Sequence, residues 1–273
     1  MSEPTVINST DKPLTRESLA RNLEAIGVEK GDMLLVHLSM KSLGWVVGGP
    51  VTVLHALMDV LTDEGTLVIQ THTPSISDPA EWENPPVPKE WHDTIRKEMP
   101  LFEPARTPST YLGVIPELFR TWPGVFRSNH PTFSIGAWGK HAKRLTERHP
   151  LHYGLNEESP LGVAYRSNAK VLLIGVGYDS NTSFHLSEHK AGTNKQIKRG
   201  APLLIDGTKE WMTYDDIELD EEQFVQIGED YERNHPITRS NVGQADSRLF
   251  PMKEAVDFAT SWLKRKGEEN ANT

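Results

Sequence analysis

The stretch from Val171 to Gly192, VLLIGVGYDSNTSFHLSEHKAG, most constrains how this 273-residue chain can fold. Val171 to Val176 is a short apolar run typical of a buried strand, and a polar, glycine-containing loop separates it from a helical segment that His185 opens. A strand that ends in such a loop holds polar side chains at the mouth of a sheet. The stretch therefore predicts a strand, a sharp loop and a helix start that can carry a functional site.

A second strand, loop and helix lie near the N-terminus. Met33 to Val36 is predicted to be a strand, the loop His37–Pro50 (HLSMKSLGWVVGGP) follows it, and an apolar helix spans Val51 to Leu61. The loop is rich in glycine and serine and can present backbone N–H groups to a phosphate, with Lys41 adding positive charge. A tight turn of small residues explains the spacing equally well, because neither a Walker A nor a GxGxxG pattern is present.

The rest of the chain is interpreted from periodicity and turn residues. Residues 1–13 are polar and are expected to form a flexible tail, and residues 14–273 are expected to form a single domain. The proline-rich segment 73–108 interrupts regular structure and is expected to form a lid or a binding wall. Further helices are predicted at 14–26, 111–122, 140–148, 161–165, 221–233 and around 256–262, and further strands at 66–71, 133–137, 202–205 and 210–214.

Composition narrows the classes of function. The chain has no cysteine, which excludes disulfides, thiolate metal ligands and a cysteine acyl-enzyme. A net charge of −9 argues against a nucleic-acid partner and is compatible with a cationic ligand, although acidity also simply aids solubility. No apolar run approaches the length of a membrane span and no signal peptide is evident, so we expect a cytoplasmic protein without a membrane partner.

The residues His185 to His189 permit a metal-binding interpretation. They match the H-x-x-E-H order of inverzincin peptidases, which places two histidines one helical turn apart. That motif belongs to a long helix with a glutamate ligand far downstream, whereas this helix is expected to end near Gly192. We therefore expect no metal, and a zinc hydrolase stays as the less favoured alternative.

Acid–base catalysis is the second interpretation of the same loop. A histidine can remove a proton from a reacting amine when a carboxylate fixes its tautomer and supports the cation that forms. His185 lies in the first helical turn, and Asp179, Glu188 and Asp230 are the candidate carboxylates. Asp230 lies roughly 60° from Ile227 around the predicted helix 221–233 and so borders its buried face. A histidine that only satisfies loop carbonyls remains the structural alternative.

Four segments between positions 37 and 192 carry a resemblance to a known family. HLSMKSLGWVVGGP, RSNHPTFSIGAWGKHA, EESPL and LLIGVGYDSNTSFHLSEHKAG resemble, in order, the motifs of the aminoglycoside N3-acetyltransferases, also called antibiotic N-acetyltransferases. The resemblance implies an α/β fold, a mixed-sheet three-layer sandwich distinct from the GNAT acetyltransferases. It also implies transfer of an acetyl group from acetyl-CoA to the 3-amino group of the 2-deoxystreptamine ring of an aminoglycoside. This transfer would use a ternary complex without an acyl-enzyme and would give antibiotic resistance.

The resemblance also assigns residues. His185 matches the general base, and Asp230 is the nearest match to the carboxylate that orients it, with Glu232 as the alternative. The hydroxyl of Thr182 is a candidate to stabilise the carbonyl oxygen during transfer. The predicted contacts to acetyl-CoA are Ser39, Lys41, Ser42, Leu43, Gly44, Val47, Gly48, Gly49 and Ser109. An acidic surface suits a polycationic substrate, and its candidate contacts are Asp78, Glu83, Glu103, Glu157, Glu158, Asp179 and Glu188.

The chain departs from the family pattern at two places. Met40-Lys41 stands where relatives more often have small hydroxyl residues, and Thr110 stands where an arginine often follows the Thr-Pro-Ser motif. A phosphate contact from position 110 is therefore not expected. Two alternatives stay open, an acetyltransferase of this fold that acts on another amine and a protein that binds CoA or a polyamine without turnover. A homodimer is the expected assembly.

Overall fold

The structure is a computed structural model that describes residues 3–271. Its strands are β1 (Met33–Leu38), β2 (Thr66–Gln70), β3 (Phe126–Arg127), β4 (Ile135–Gly139), β5 (Lys170–Ile174), β6 (Gln196–Ile205), β7 (Thr208–Ile217), β8 (Thr238–Val242) and β9 (Ala245–Pro251). Its α-helices are α1 (Glu3–Asn8), α2 (Arg16–Ile26), α3 (Met40–Leu43), α4 (Gly49–Leu61), α5 (His92–Glu98), α6 (Val114–Arg120), α7 (Ala142–Thr146), α8 (Pro160–Arg166), α9 (Ser183–Ala191), α10 (Phe224–Asn234) and α11 (Met252–Ala271).

Seven strands form one mixed sheet in the order β3-β4-β2-β1-β5-β9-β8. The central strand β1 pairs in parallel with β2 and with β5, while the outer strands β4 and β9 run antiparallel to their inner neighbours. Since β1, β2 and β5 are parallel, their carboxyl ends meet at one edge of the sheet. In open α/β sheets ligands bind in the crevice beside this edge, so the topology places both sequence-predicted loops where a site can form.

Helices cover both faces of the sheet. Side chains alternate across each central strand, so Leu34 and Leu67 pack against α2, α4 and α6 on one face, whereas Leu35 and Val68 face α7 to α11 on the other. Each face buries its own apolar cluster. The three layers and the mixed sheet confirm the predicted α/β class.

Local sequence signals set several boundaries as predicted. Thr15 caps α2, and Gly27 ends it in the left-handed conformation with φ of 103°. Gly192 ends α9 in the same way, with φ of 67°. Pro116 falls in the first turn of α6, where its missing N–H has no helical partner to lose. These helix ends depend on interactions between residues that are close in the sequence, so a sequence pattern can predict them.

The N-terminal segment differs from the flexible tail that was predicted for it. Glu3–Asn8 forms α1, and Thr10 Oγ1 accepts a hydrogen bond of 2.9 Å from the backbone N of Trp45. Gln244 Nε2 also donates to the carbonyl of Ser9 at 2.6 Å. Polar residues therefore order this segment through hydrogen bonds to distant residues, which composition does not reveal. Residues 1 and 2 of the predicted tail lie outside the described residues.

Three strands were not predicted. β3 has only two residues, and β8 and β9 (TRSNV and ADSRLFP) contain many polar side chains because they lie toward the sheet edge beside β5. Their weak alternation conceals the strand period of two. The hairpin of β6 and β7 was predicted, and its turn at Asp206-Gly207 has positive φ at both residues, but its strands are longer than expected.

The proline-rich segment 73–108 contains α5 and two short 3-10 helices, Pro79–Glu81 and Lys89–Trp91. Within the part of the chain that the structure describes, no helix is both long enough and apolar enough to cross a membrane.

Candidate active site

Three cavities lie along the sheet edge where β1, β2 and β5 end. The first, here the glycine-loop cavity, has a volume of about 450 Å³. Its lining residues are Val6, Met40, Lys41, Gly44, Trp45, Val46, Gly48 and Gly49. Gly48 and Gly49 have φ of 75° and 58°, a backbone conformation that favours glycine, so their presence fixes the turn into α4. The exposed Lys41 gives this cavity a cation.

The glycine loop is tied to the loop after β5. Ser39 N donates to the carbonyl of Ile174 at 3.0 Å, and Ser42 Oγ donates to the carbonyl of Gly175 at 3.1 Å. A Cβ on Gly175, whose φ is 62°, would lie 2.3 Å from Ser42 Cβ. The two loops therefore approach each other too closely for any larger residue at position 175, and they form one continuous wall.

The predicted coenzyme residues fall into three groups. Lys41, Gly44, Gly48 and Gly49 line the glycine-loop cavity, and Val47 is exposed next to them. Ser39 and Ser42 hold the loop in place, and Leu43 is fully buried in the core below it. Ser109 lies elsewhere, since its hydroxyl donates to the carbonyl of His72 at 3.1 Å and its N–H donates to Glu117. The structure therefore gives Ser109 a structural position rather than one in the coenzyme loop.

The second, narrow cavity has a volume of about 220 Å³ and lies directly at the ends of β1 and β2. It is lined by Val36, His37, Leu38, Ile69, Gln70, Tyr111, Leu112, Ile115, Pro116, Val176 and Ser180. Tyr111 is 84% exposed and has φ of 65°, an uncommon conformation for an aromatic residue. Tyr111 also lines the third cavity, so its side chain stands where the two spaces meet.

The third, acidic cavity has a volume of about 570 Å³. The proline-rich segment supplies much of its wall, as expected for that segment, and Glu81, Glu83 and Glu221 provide its carboxylates. Its lining residues are Pro74, Ser75, Ser77, Glu81, Trp82, Glu83, Asn84, Pro85, Tyr111, Thr132, Phe133, Arg199, Leu219 and Glu221. Such a wall combines apolar and aromatic surface with negative charge, which suits a cationic sugar.

His185 lies on α9 with a carboxylate on each side of its ring. Its Nδ1 is 2.6 Å from Glu188 Oε2, and its Nε2 is 3.6 Å from Oε1 of Glu221, a lining residue of the acidic cavity. Positions 185 and 188 share one face of the helix, so α9 itself holds the pair together. Because Glu188 accepts the Nδ1 proton, Nε2 is left as the proton acceptor toward the cavity.

Glu188 is fixed by three donors in all. Its side chain is 1% exposed, and its Oε1 accepts from Asn194 Nδ2 and from the backbone N of Asp220, both at 2.8 Å. A carboxylate buried this deeply with every contact occupied cannot meet a substrate. The prediction of Glu188 as a substrate contact is therefore wrong, and its position is that of the group that orients His185.

Asp230 does not fill the orienting position that the resemblance assigned to it. Its Oδ2 accepts from Trp262 Nε1 at 2.7 Å and its Oδ1 pairs with Arg233, so it joins α10 to α11. The alternative, Glu232, accepts from Arg248 and Tyr178 instead. Helical periodicity placed Asp230 correctly at the border of the buried face, but at position 230 this face packs on α11, through Trp262.

Thr182 and Asp179 also differ from their predicted roles. The hydroxyl of Thr182 donates to Gln70 Oε1, which uses its single proton. Asp179 is exposed, and its carboxylate folds back against Gly177. Thr182 therefore lies beside Gln70 at the end of β2. Asp179 is not part of the His185–Glu188 pair.

The predicted substrate carboxylates are scattered. Glu83 lines the acidic cavity. Four others do not line it and are held in ion pairs: Asp78 with Arg96, Glu103 with Arg106, Glu157 with Lys190, and Glu158 with Arg148. The structure therefore does not bring these four into the cavity beside His185, and each carboxylate has a cationic partner outside it. Acidic composition alone could not separate them from Glu81 and Glu221.

A buried ionic network supports the acidic cavity. Arg199 on β6 pairs with Glu81 and with Asp216, each at 2.8 Å. Burial raises the pKa of Glu81 and of Asp216, and Arg199 opposes both shifts. His189 Nε2 lies 3.8 Å from Asp216, and burial lowers the pKa of His189 to about 4. Arg199, Glu81 and Glu221 were not singled out from the sequence, since they lie on three segments far apart in the chain.

The described residues, 3–271, contain no group of three or more His, Asp or Glu side chains arranged to hold a metal ion. The H-x-x-E-H spacing is present on α9, but Glu188 is bound to His185 and the second histidine faces Asp216.

A buried histidine–glutamate pair beside an acidic cavity, at the edge of a mixed sheet, is typical of an α/β enzyme that uses acid–base catalysis. Comparison with known proteins identifies the family within this class. The family model for aminoglycoside 3-N-acetyltransferase matches residues 35–264, and the chain belongs to that family of acyltransferases.

Individual relatives agree with this membership. The chain is 46% identical over 97% of its length to the SPbeta prophage-derived aminoglycoside N(3')-acetyltransferase-like protein YokD of Bacillus subtilis, covering 98% of that protein. The crystal structure of YokD superimposes with a TM-score of 0.93, covering 95% of this chain and 97% of that one. The structure of AAC-IIIb with CoASH superimposes with a TM-score of 0.83 at 30% identity, covering 93% of this chain and 98% of that one. The predicted sandwich type is thereby confirmed.

Proposed function

We propose that this enzyme transfers the acetyl group of acetyl-CoA to the 3-amino group of an aminoglycoside, with His185 as the general base. The observation that carries the proposal is the pair of His185 and Glu188. His185 Nε2 lies 3.6 Å from Glu221 of the acidic cavity, and His185 is close enough to His37 of the narrow cavity to lower its pKa. Family membership supports the reaction type, and resistance to the acetylated antibiotic is the proposed consequence for the cell.

The glycine-loop cavity is the proposed site of the coenzyme. Gly44, Gly48 and Gly49 have no side chains of their own, so a ligand in this cavity can approach the backbone of the loop closely. Lys41 supplies a cation near the mouth for a phosphate. The narrow cavity continues from the same sheet edge and suits the acetyl-bearing end of the coenzyme. That the related AAC-IIIb was crystallised with CoASH supports this placement.

The acidic cavity is the proposed site of the amine. Glu81 is paired with Arg199, which offsets its charge. Glu83 and Glu221 are therefore the carboxylates best placed to attract ammonium groups. Trp82 and Phe133 offer aromatic faces to the sugar rings. Glu221 lies beside His185 Nε2, which brings one amino group of the substrate to the base.

The transfer then follows from the geometry. The unprotonated Nε2 of His185 takes a proton from the neutral amine as its nitrogen attacks, while Glu188 holds Nδ1–H and stabilises the imidazolium that forms. The amine nitrogen bonds to the acetyl carbonyl carbon, and the carbon–sulfur bond breaks. The thiolate of CoA leaves and takes up the proton from His185. The products are an amide and free CoA, and no acyl-enzyme is required.

Release of free thiol from acetyl-CoA tests the proposal. We expect release that depends on gentamicin, kanamycin or apramycin and is unaffected by EDTA, with an acetylated product one acetyl group heavier by mass spectrometry. His185→Ala should lower kcat by about 10³-fold, the range of general-base catalysis, while CoA affinity stays within about twofold. His141→Ala, an exposed position before α7, is the matched control. Release without any amine dependence, or normal turnover by His185→Ala, would refute the proposal.

A further inference from the structure

A second histidine lies at the sheet edge with no partner. His37, at the end of β1, is 4% exposed, and neither Nδ1 nor Nε2 has a hydrogen bond to any residue from 3 to 271. Buried polar side chains are nearly always paired, because an unpaired one loses its bonds to water without replacement. The exception therefore needs an explanation, and a ligand that supplies the missing partner is one.

The position of His37 points to the reaction centre. Odd-numbered residues of β1 face α9, so His37 lies on the same face of the sheet as the helix that carries His185. The parallel register pairs Leu35 with Val68, and two residues further it places His37 beside Gln70. Both side chains line the narrow cavity.

His37 is neutral under physiological conditions. Burial lowers its pKa to about 3, and the nearby His185 adds to this shift. A neutral imidazole carries one N–H donor and is too weakly basic to compete with His185 for the amine proton. Since no hydrogen bond holds the ring, it can turn about χ2 to present this N–H to the cavity.

In the structure, the Thr182 hydroxyl that the sequence suggested as a donor to the carbonyl oxygen is already engaged. Acyl transfer builds negative charge on the carbonyl oxygen, and Thr182 was the predicted donor to it. The proton of the Thr182 hydroxyl is already donated to Gln70. Among the residues that line the narrow cavity, His37 is the one whose buried polar side chain has no hydrogen-bond partner among residues 3–271.

We propose that His37 is a catalytic residue whose neutral imidazole N–H donates a hydrogen bond to the acetyl carbonyl oxygen of bound acetyl-CoA. As the amine nitrogen bonds to the carbonyl carbon, the carbonyl π electrons move onto this oxygen, and the hydrogen bond stabilises the charge. The electrons return when the carbon–sulfur bond breaks, and His37 keeps its proton throughout. The amine proton goes to His185 and then to the CoA thiolate.

This inference rests on the proposed function, so the wild-type protein is assayed first for amine-dependent release of CoA. If it releases none, the proposed function fails, independently of His37. Given release, His37→Phe should lower kcat by about 10²-fold or more, as the loss of one oxyanion donor does, with CoA affinity within about twofold. His37→Gln keeps an N–H donor and should retain at least about a tenth of kcat. The control is His141→Phe, at an exposed position.

A kcat of His37→Phe within about threefold of wild type would overturn the inference, and so would equal losses in His37→Phe and His37→Gln. Folding of each variant is checked by its melting temperature and by CoA binding. A second measurement on the unaltered protein does not depend on variants. The infrared carbonyl band of bound acetyl-CoA, labelled with ¹³C at the carbonyl, should lie below its frequency in water. A band at or above that frequency would contradict a donor at this oxygen.

Discussion

The glycine-loop cavity and the acidic cavity are built in opposite ways. Seven of the eight residues that line the first come from one stretch, Met40 to Gly49, with Val6 of α1 added. The second draws on segments spread from Pro74 to Glu221, including the proline-rich segment and the β6–β7 hairpin. A binding surface made from one stretch keeps its shape whenever that stretch is kept, whereas a surface made from many segments can change one segment at a time. Under the proposed function, this difference separates a constant coenzyme site from an adaptable amine site.

The largest effect is expected at the pair of His185 and Glu188. Glu188→Gln should lower kcat by about 10²-fold, because an amide can neither hold Nδ1–H as strongly nor stabilise the imidazolium. KM values for both ligands should change by less than about threefold, since Glu188 is buried and touches neither cavity. Steady-state kinetics check this, with Glu158→Gln as an exposed control. A raised KM for the amine alone would place Glu188 on the amine side instead.

Ser42→Trp should disrupt the coenzyme side alone. Its side chain lies against Gly175 in a space without room for an indole ring, so the glycine loop must move. We expect KM for acetyl-CoA to rise by about 30-fold or more, with little change in amine affinity. Ser167→Trp, at the exposed end of α8, is the matched control. Equal losses in affinity for both ligands would show that the two cavities are not independent.

Acid should destabilise the fold through its buried histidines. Burial lowers the pKa of His72 to about 3 and of His149 and His189 to about 4, below the unfolded value near 6.5. Below pH 6.5 the unfolded chain binds protons that the folded chain does not, so stability falls as pH falls toward 4. The loss is about 1.4 kcal/mol per pH unit for each such histidine. Urea unfolding at several pH values measures the slope.

The variant His149→Gln sharpens this result. It removes one titrating group whose ring bonds Ser128 and the carbonyl of Gly154. The slope of unfolding free energy against pH between 6.5 and 4.5 should become shallower by about 1.4 kcal/mol per unit. An unchanged slope would mean that His149 titrates alike in the folded and unfolded states.

The smallest effect is expected from a single carboxylate of the acidic cavity. Glu221 is 60% exposed, so water screens its charge, and Glu221→Gln should raise KM for a polycationic amine by only about two- to fivefold. KM for acetyl-CoA should stay unchanged. Glu103→Gln removes the same charge outside the cavity and should leave both values unaltered. An equal response to the two variants would indicate a general charge effect rather than a contact.

The same contrast explains what the sequence could predict. The glycine loop, the central strands and His185 lie in continuous motifs, and the structure places them as expected. The helix ends at Gly27 and Gly192 follow from local conformation. The carboxylate partner of His185 was harder to predict, because Glu188 and Asp230 were both compatible with helical periodicity. Only the packing of the helices shows that Glu188 is the partner.

The features that the sequence did not predict depend on tertiary structure. Arg199 and Glu81 are 118 positions apart in the chain and meet only through the hairpin, so no spacing rule could connect them. Strands β8 and β9 were missed because their many polar side chains hide the alternation that identifies a strand in a sequence. The acidic residues illustrate the limit most clearly, since paired and unpaired carboxylates are identical in a sequence.

The independence of the two cavities is the central claim, and calorimetry tests it most directly. CoA is titrated into the protein alone and into protein saturated with an aminoglycoside that it acetylates. We predict one equivalent of CoA bound in both titrations, with dissociation constants that agree within about threefold. Loss of CoA binding in the presence of the aminoglycoside would show that the ligands share one space, and it would contradict direct transfer between two ligands held in separate cavities.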